Sequence, residues 1–212
     1  IAPGVVTSIK VITDKASRRI ANFAFEYATR WERKTVTAVH KANIMKLADG
    51  LFLDCAREVA EKYDGKVEFS DVLVDALCMR MVTDPGRYDI LLLENLYGDI
   101  VSDLAAGLIG GLGLAPGGNY GHDCAVFEAI HGSAPDIAGQ GIANPIAMLL
   151  SGAMMCHHLG HPAMYSLIRR STADVTREDK SALTPDLGGT GTTESLADAI
   201  IEKVKIRRAK GE

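Results

Sequence analysis

Along Val5 to Ile12 (VVTSIKVI) apolar and polar positions alternate, the pattern of a half-buried strand. The period then changes. From Asp14 to Arg30 the residues Ile20, Phe23, Ala24, Tyr27 and Ala28 recur at helical spacing, and Thr35 to His40 (TVTAVH) is short and β-branched, as strands are. A second helix is predicted from about Met45 to Lys62, with Leu47, Leu51, Cys55 and Val59 on one stripe. A strand near Val72 to Ala76, a short helix around Cys78 to Val82 and a turn at Asp84-Pro85-Gly86 come next. The uninterrupted apolar run Ile90 to Leu93 predicts a strand buried on both faces. Strands interleaved with helices of this length predict an α/β fold.

The pattern breaks at Gly107 to Gly121 (GLIGGLGLAPGGNYG), where 7 of 15 residues are glycine. Leu108, Ile109, Leu112 and Leu114 interleave with them, so a tightly packed crossing between two domains is expected rather than a surface loop. Beyond it come a strand from Cys124 to Ile130 and a polar loop from His131 to Ile142. A long helix begins at Asn144-Pro145, and two more are predicted at Ala163 to Ala173 and Ser195 to Arg207.

Composition narrows the function classes. The 212 residues are 47% apolar and 24% charged, ordinary for a globular protein. Net charge is −4 with no extended basic block, so nucleic-acid binding has no electrostatic support. No uncharged apolar run reaches the roughly 18 residues of a membrane helix, and Ile1-Ala2-Pro3-Gly4 lacks the features of a signal peptide. Cys55, Cys78, Cys124 and Cys156 are widely scattered and are expected to be buried thiols in a reducing compartment. The phosphate-loop, zinc-protease and serine-hydrolase signatures are absent, and no G-x-G-x-x-G follows a strand.

Four constellations remain. Asp99 and Asp103 stand one helical turn apart at the head of an apolar helix. A divalent cation with oxygen ligands would reconcile two like charges, and a helix N-terminus that favours acids would also account for them. Lys41 leaves a strand in VHKAN, where α/β folds place chemistry and where a solvated loop lysine also sits. Asp75 interrupts an apolar strand, where an unpaired charge would be costly. The fourth is FEAIHGSAPDIAG, Phe127 to Gly139, followed by Asn144-Pro145.

The segments VHKANIMK, NLYGDIVSDLAAGLIGGLGLAPGGN, HGSAPDIAGQGIANP and PDLGGTGTT resemble the metal-dependent β-decarboxylating dehydrogenases of the isocitrate/isopropylmalate dehydrogenase family. The resemblance covers essentially the whole chain. It is greatest to the NAD-dependent isocitrate branch, with the homoisocitrate branch second. It implies a smaller α/β domain over residues 1–110, carrying dimer-interface and metal-site residues, and the C-terminal part of a larger, NAD-binding α/β domain over 111–212. Lys41 resembles the lysine that helps proton transfer, and Asn43 a neighbour contacting substrate or nicotinamide. Asp75, Asp99 and Asp103 resemble the carboxylates that hold Mg²⁺ or Mn²⁺. His131, Gly132, Ser133, Ala134, Asp136, Ile137 and Asn144 resemble the adenosine-binding loop. Asp136 followed by Ile137 resembles the family's NAD-type pair, where NADP-preferring relatives carry a basic residue and a tyrosine; the physics agrees, since a carboxylate accepts hydrogen bonds from ribose hydroxyls and repels a 2′-phosphate.

The implied reaction is oxidative decarboxylation of isocitrate to 2-oxoglutarate, in bacterial cytoplasm or mitochondrial matrix. Homoisocitrate or 3-isopropylmalate dehydrogenase, and a non-catalytic regulatory subunit or fragment, are the alternatives. The partner is a second subunit that completes a shared site, with Lys41 and Asp75 reaching toward the Asp99 and Asp103 of the other copy. Family members are typically well over three hundred residues. The resemblance therefore implies that an N-terminal part is missing, with its arginine-bearing substrate loop and its tyrosine motif. It also implies an unpaired strand edge in residues 111–212.

Overall fold

The computed structural model describes residues 2–178 and 180–211. The chain divides into two compact units, Ile1–Ala105 and Ala106–Glu212.

In the first unit, α1 (Asp14–Arg30) opens on the side chain of Thr13, whose hydroxyl accepts the Ala16 N–H. It leads to β1 (Thr35–His40), α2 (Ala48–Ala60), β2 (Glu68–Leu73), α3 (Val74–Thr83), β3 (Ile90–Leu92) and α4 (Asn95–Leu108). The three strands form a parallel sheet in the order β2-β1-β3. The chain goes to one side of β1 and then to the other, so the connections leaving the C-terminal ends of the strands diverge, the place where open α/β sheets bind ligands.

Side-chain alternation along β1 feeds two cores. Val36 and Ala38 meet Ala21, Phe25 and Ala28 of α1 and Phe52 and Ala56 of α2. Val39 meets Val72, Leu77, Met81 and Val101 on the other face. Phe25 is fully buried and stacks on Tyr63 with centroids 5.1 Å apart. Burial of one such ring contributes about 2–3 kcal/mol.

In the second unit, β4 (Pro116–Tyr120) and β5 (Ala125–Ala129) form an antiparallel hairpin. Helices α5 (Ile146–His158), α6 (Pro162–Glu178) and α7 (Thr193–Ala209) follow. Buried Ser151 of α5 fastens the hairpin: its Oγ accepts the Gly117 N–H at 3.2 Å and lies 2.9 Å from the Glu128 carbonyl. Ile146, Val175, Leu183, Leu196 and Ile200 make the helical core, and a capping box between Thr192 and Ser195 starts α7.

Six expectations are corrected. Val5 to Ile12 forms no regular element and pairs with no strand among the described residues; Val6 is 92% exposed and Ile9 84%, while polar Lys10 and apolar Ile12 are the half-buried positions. Helix α2 starts at Ala48, which leaves Leu47 exposed and moves the buried stripe to Phe52, Cys55, Ala56 and Val59. Strand β2 ends at Leu73, before Asp75. Strand β3 lies at an edge of the order above, and only Leu92 of it is fully buried. The glycine-dense segment contains β4, hidden from sequence because proline and glycine are poor strand formers. Glycine is required at 117, where a Cβ would lie 2.9 Å from the Glu128 carbonyl oxygen. All four cysteines are free thiols, and Cys124 is exposed rather than buried.

Candidate active site

Register places the first chemical pair. Strands β1 and β2 run parallel with His40 opposite Leu73, so Lys41 and Asp75 emerge one and two residues later from the same sheet edge. Lys41 Nζ donates to Asp75 Oδ1 at 2.6 Å. Asp75 occupies the first turn of α3 and its side chain is 64% exposed, so the cost expected for a charge inside an apolar strand does not arise. The Lys41 ammonium, with backbone N–H groups at the α3 start, holds the Asp75 carboxyl below the usual carboxylate range. Asp75 is therefore a carboxylate at neutral pH. Asn43 lies in the following turn, exposed.

A second layer of charge stands behind Lys41. Asp49, in the first turn of α2 and 1% exposed, accepts the Lys41 backbone N–H at Oδ2 (2.7 Å) and Lys10 Nζ at Oδ1 (2.7 Å). Lys10 also reaches Glu94 Oε1 at 3.0 Å and lies 4.2 Å from the centroid of the Tyr97 ring. Burial disfavours the Lys10 charge, but the hydrogen bonds of Asp49 and Glu94 outweigh it and raise its pKa. Burial, with the negative charge of Asp49, pushes the Tyr97 phenol up. His40 is also buried. Its Nδ1 accepts the Ala42 N–H at 3.1 Å, which leaves Nε2 as the donor to Asp71 at 3.1 Å. Burial raises the Asp71 pKa, and hydrogen bonds from His40 and Arg57 more than reverse that, leaving it low.

Asp99 and Asp103 lie in the second and third turns of α4, both exposed. The acid that the α4 N-terminus favours is instead Glu94, whose carboxylate accepts the N–H groups of Leu96 and Tyr97. No three His, Cys, Asp or Glu side chains among the described residues gather into a metal cluster, so Asp75 does not join Asp99 and Asp103 within one chain. The three donors are all-oxygen, hard ligands of the type that suits Mg²⁺ or Mn²⁺.

In the second unit His131, Gly132, Ser133, Ala134 and Asp136 are exposed along one loop, and Ile137 is half-buried. His131 Nδ1 lies 2.9 Å from the Gly132 carbonyl. Ala134 adopts φ 43°, a left-handed conformation that costs a non-glycine residue about 1 kcal/mol and launches the Pro135–Ile137 turn. Gln140 Nε2 closes this turn on the Asp136 carbonyl at 2.7 Å. Asn144 is buried with its side chain engaged: Oδ1 accepts the Ile146 N–H and Nδ2 donates to Asp186 at 2.9 Å. Thr193 at the α7 start donates its N–H to the Gly141 carbonyl and its hydroxyl to that of Ala143. Sequence reasoning did not single out Asp49, Lys10, Glu94, Asp186 or Thr193. Asp49 lies in the predicted helix but off its apolar stripe, and Lys10 takes a polar position in the pattern of Val5 to Ile12.

The isocitrate/isopropylmalate dehydrogenase family model matches residues 2–203. The chain is 53% identical over 205 residues to a Caenorhabditis elegans protein named probable isocitrate dehydrogenase [NAD] subunit alpha, mitochondrial, and covers 97% of itself and 57% of that relative. It is 51% identical over 209 residues to human isocitrate dehydrogenase [NAD] subunit alpha, mitochondrial, with 97% and 56% covered. Among solved structures, isocitrate dehydrogenase from Methylococcus capsulatus matches with TM-score 0.89 at 54% identity, covering 93% of this chain and 58% of that one. A β-decarboxylating dehydrogenase from Thermococcus kodakarensis matches at 0.86 and 41%, with 97% and 59% covered. The chain thus spans a little over half the length of these proteins, and its strand-end lysine, its aspartates and its loops all fall within the matched span. It belongs to the isocitrate/isopropylmalate dehydrogenase family.

Proposed function

We propose that this chain is part of an NAD-dependent isocitrate dehydrogenase subunit that oxidatively decarboxylates isocitrate to 2-oxoglutarate. The Lys41–Asp75 contact at the C-terminal sheet edge carries this reading, since it sets an ammonium ready to exchange a proton where an α/β sheet binds ligands. The names of the nematode and human relatives support isocitrate over homoisocitrate or 3-isopropylmalate, and a mitochondrial matrix setting. In this reading residues 1–110 carry the metal and subunit-contact residues, and 111–212 the nucleotide loop.

Asp99 and Asp103 would hold Mg²⁺ or Mn²⁺ together with an Asp75 lent by a second copy. The separation of Asp75 from the other two within one chain supports that division. When bound, the metal supplies Lewis acidity and NAD⁺ the hydride acceptor. Lys41 Nζ then holds a proton beside the reacting atoms, positioned by its hydrogen bond to Asp75, and Asn43 faces the substrate from the same turn. In the second unit the exposed Asp136 carboxylate accepts from ribose hydroxyls and repels a 2′-phosphate, the basis for NAD over NADP.

The test is NADH production by the subunit carrying this chain, with isocitrate, homoisocitrate and 3-isopropylmalate side by side. Isocitrate is expected to be turned over fastest, and Lys41→Met to lower kcat by about 10²–10⁴-fold. Undiminished activity of Lys41→Met would overturn the assignment of Lys41, and preference for another acid that of the substrate.

A further inference from the structure

We propose that Asp49 is a positioning residue for Lys41, acting through the Lys41 backbone; this rests on the role given to Lys41 above. The turn that leaves β1 is held at successive groups. The Lys41 N–H donates to Asp49 Oδ2 at 2.7 Å, and the Ala42 N–H donates to His40 Nδ1 at 3.1 Å. The Lys41 carbonyl accepts the N–H groups of Ile44 and Met45 at 3.0 and 2.8 Å. With both ends of its peptide fixed, Lys41 has only its side-chain torsions left, and these deliver Nζ to Asp75.

Two observations set Asp49 apart from an ordinary helix-start acid. It is 1% exposed, which is rare for a carboxylate and costly unless every lone pair is used. Its second oxygen holds Lys10, which comes from a segment 39 residues earlier and is itself gripped by Glu94 at the head of α4. One carboxylate thus fastens the exit of β1, the start of α2 and the segment before α1 to a single point, and α4 joins it through Lys10 and Glu94. An acid placed only to favour the α2 dipole could do so from solvent. Buried and doubly bonded, Asp49 transmits the position of those elements to the Lys41 peptide.

The experiment pairs amide hydrogen exchange with kinetics. In the unmodified chain the Lys41 amide is expected to be protected. In Asp49→Ala it is expected to lose at least about tenfold of that protection, with kcat falling by about 30- to 100-fold and KM for isocitrate changing less, because a misplaced group costs the chemical step. The double variant Lys10→Met/Asp49→Asn keeps an amide oxygen for the Lys41 N–H without a buried charge. It is expected to recover Lys41 protection and most of kcat, and it reads the role even if Asp49→Ala does not fold. Fast exchange of the Lys41 amide in the unmodified chain, or a folded Asp49→Ala variant with unchanged kcat, would overturn the proposal. Absence of dehydrogenase activity in the unmodified protein would instead count against the proposed function, and leave the exchange result to decide whether Asp49 holds the Lys41 backbone.

Discussion

The two units hold their functional segments by different means. In the first, side-chain charges do it: Asp49, Lys10 and Glu94 fix the turn carrying Lys41, and His40, Asp71 and Arg57 brace the strand beside it. In the second, backbone groups do most of the holding. Carbonyls of Gly141 and Ala143 take the Thr193 N–H and hydroxyl, and the Leu183 carbonyl takes the Gly191 N–H. The difference follows from what each segment presents. The ammonium proposed to react needs a directed, charged environment, whereas the loop proposed to bind the nucleotide needs shape, which close-packed backbone supplies. The first device should therefore fail with charge and pH, and the second with added volume.

The most damaging change expected on this view is Gly189→Ala. A Cβ there would lie 2.0 Å from the Leu183 carbonyl oxygen, a backbone atom that cannot step aside. The segment from Leu183 to Thr193 must then shift, carrying with it the Asp186 that holds Asn144. A loss of about 3 kcal/mol in the second unit is expected. Faster hydrogen exchange in peptides covering residues 139–146 and 183–193 would reveal it. Trp31, the sole tryptophan of the chain, reports the first unit, and its denaturation midpoint should stay in place. If the exchange pattern of those peptides were unchanged, backbone close-packing would not be what holds the proposed nucleotide loop.

The first unit should respond to acid instead. Asp71 has a native pKa below its unfolded value of about 3.9, so the unfolded chain binds the proton more readily. Its contribution is complete above about pH 4 and is lost as pH falls through the lower native value. With the side chain 37% exposed, solvent screening keeps the contribution to about 1 kcal/mol. Asp71→Asn should lower the urea midpoint of Trp31 fluorescence at pH 6, and the gap to the unmodified chain should close as pH drops toward 3. A gap that stays constant with pH would deny the ionic bracing of this unit.

How much of this was legible follows the same division. Helix α1 could be bounded to the residue and β1 likewise, because their apolar positions repeat at one period and face one core apiece or two. Lys41 and Asp75 could be named, but their pairing depends on the β1–β2 register, which no local pattern encodes. Asp49 and Lys10 were out of reach for the opposite reason. Each sits at a position whose local pattern predicts something else, and only a contact spanning 39 residues reveals the carboxylate as buried and the lysine as its partner. Strand β4 was masked by its own composition, since the glycines that permit its close approach to β5 and α5 are the residues that argue against a strand.

A glycine in the first unit offers the smallest and sharpest contrast. Gly98 lies in the first turns of α4, and a Cβ added to it would meet nothing nearer than the Leu93 Cβ at 3.8 Å, an ordinary contact. Its φ is not positive, so alanine fits the backbone without strain. Alanine there removes conformational freedom from the unfolded chain without displacing any neighbour, and Gly98→Ala is expected to stabilise the first unit by about 0.5 kcal/mol. The Trp31 midpoint should rise slightly. Because Gly98 immediately precedes Asp99, the same variant should leave the folded chain intact while adding a methyl group beside the proposed metal pair. A fall in the midpoint would mean that close approach also governs this unit, and that the contrast between charge-held and backbone-held segments is drawn in the wrong place.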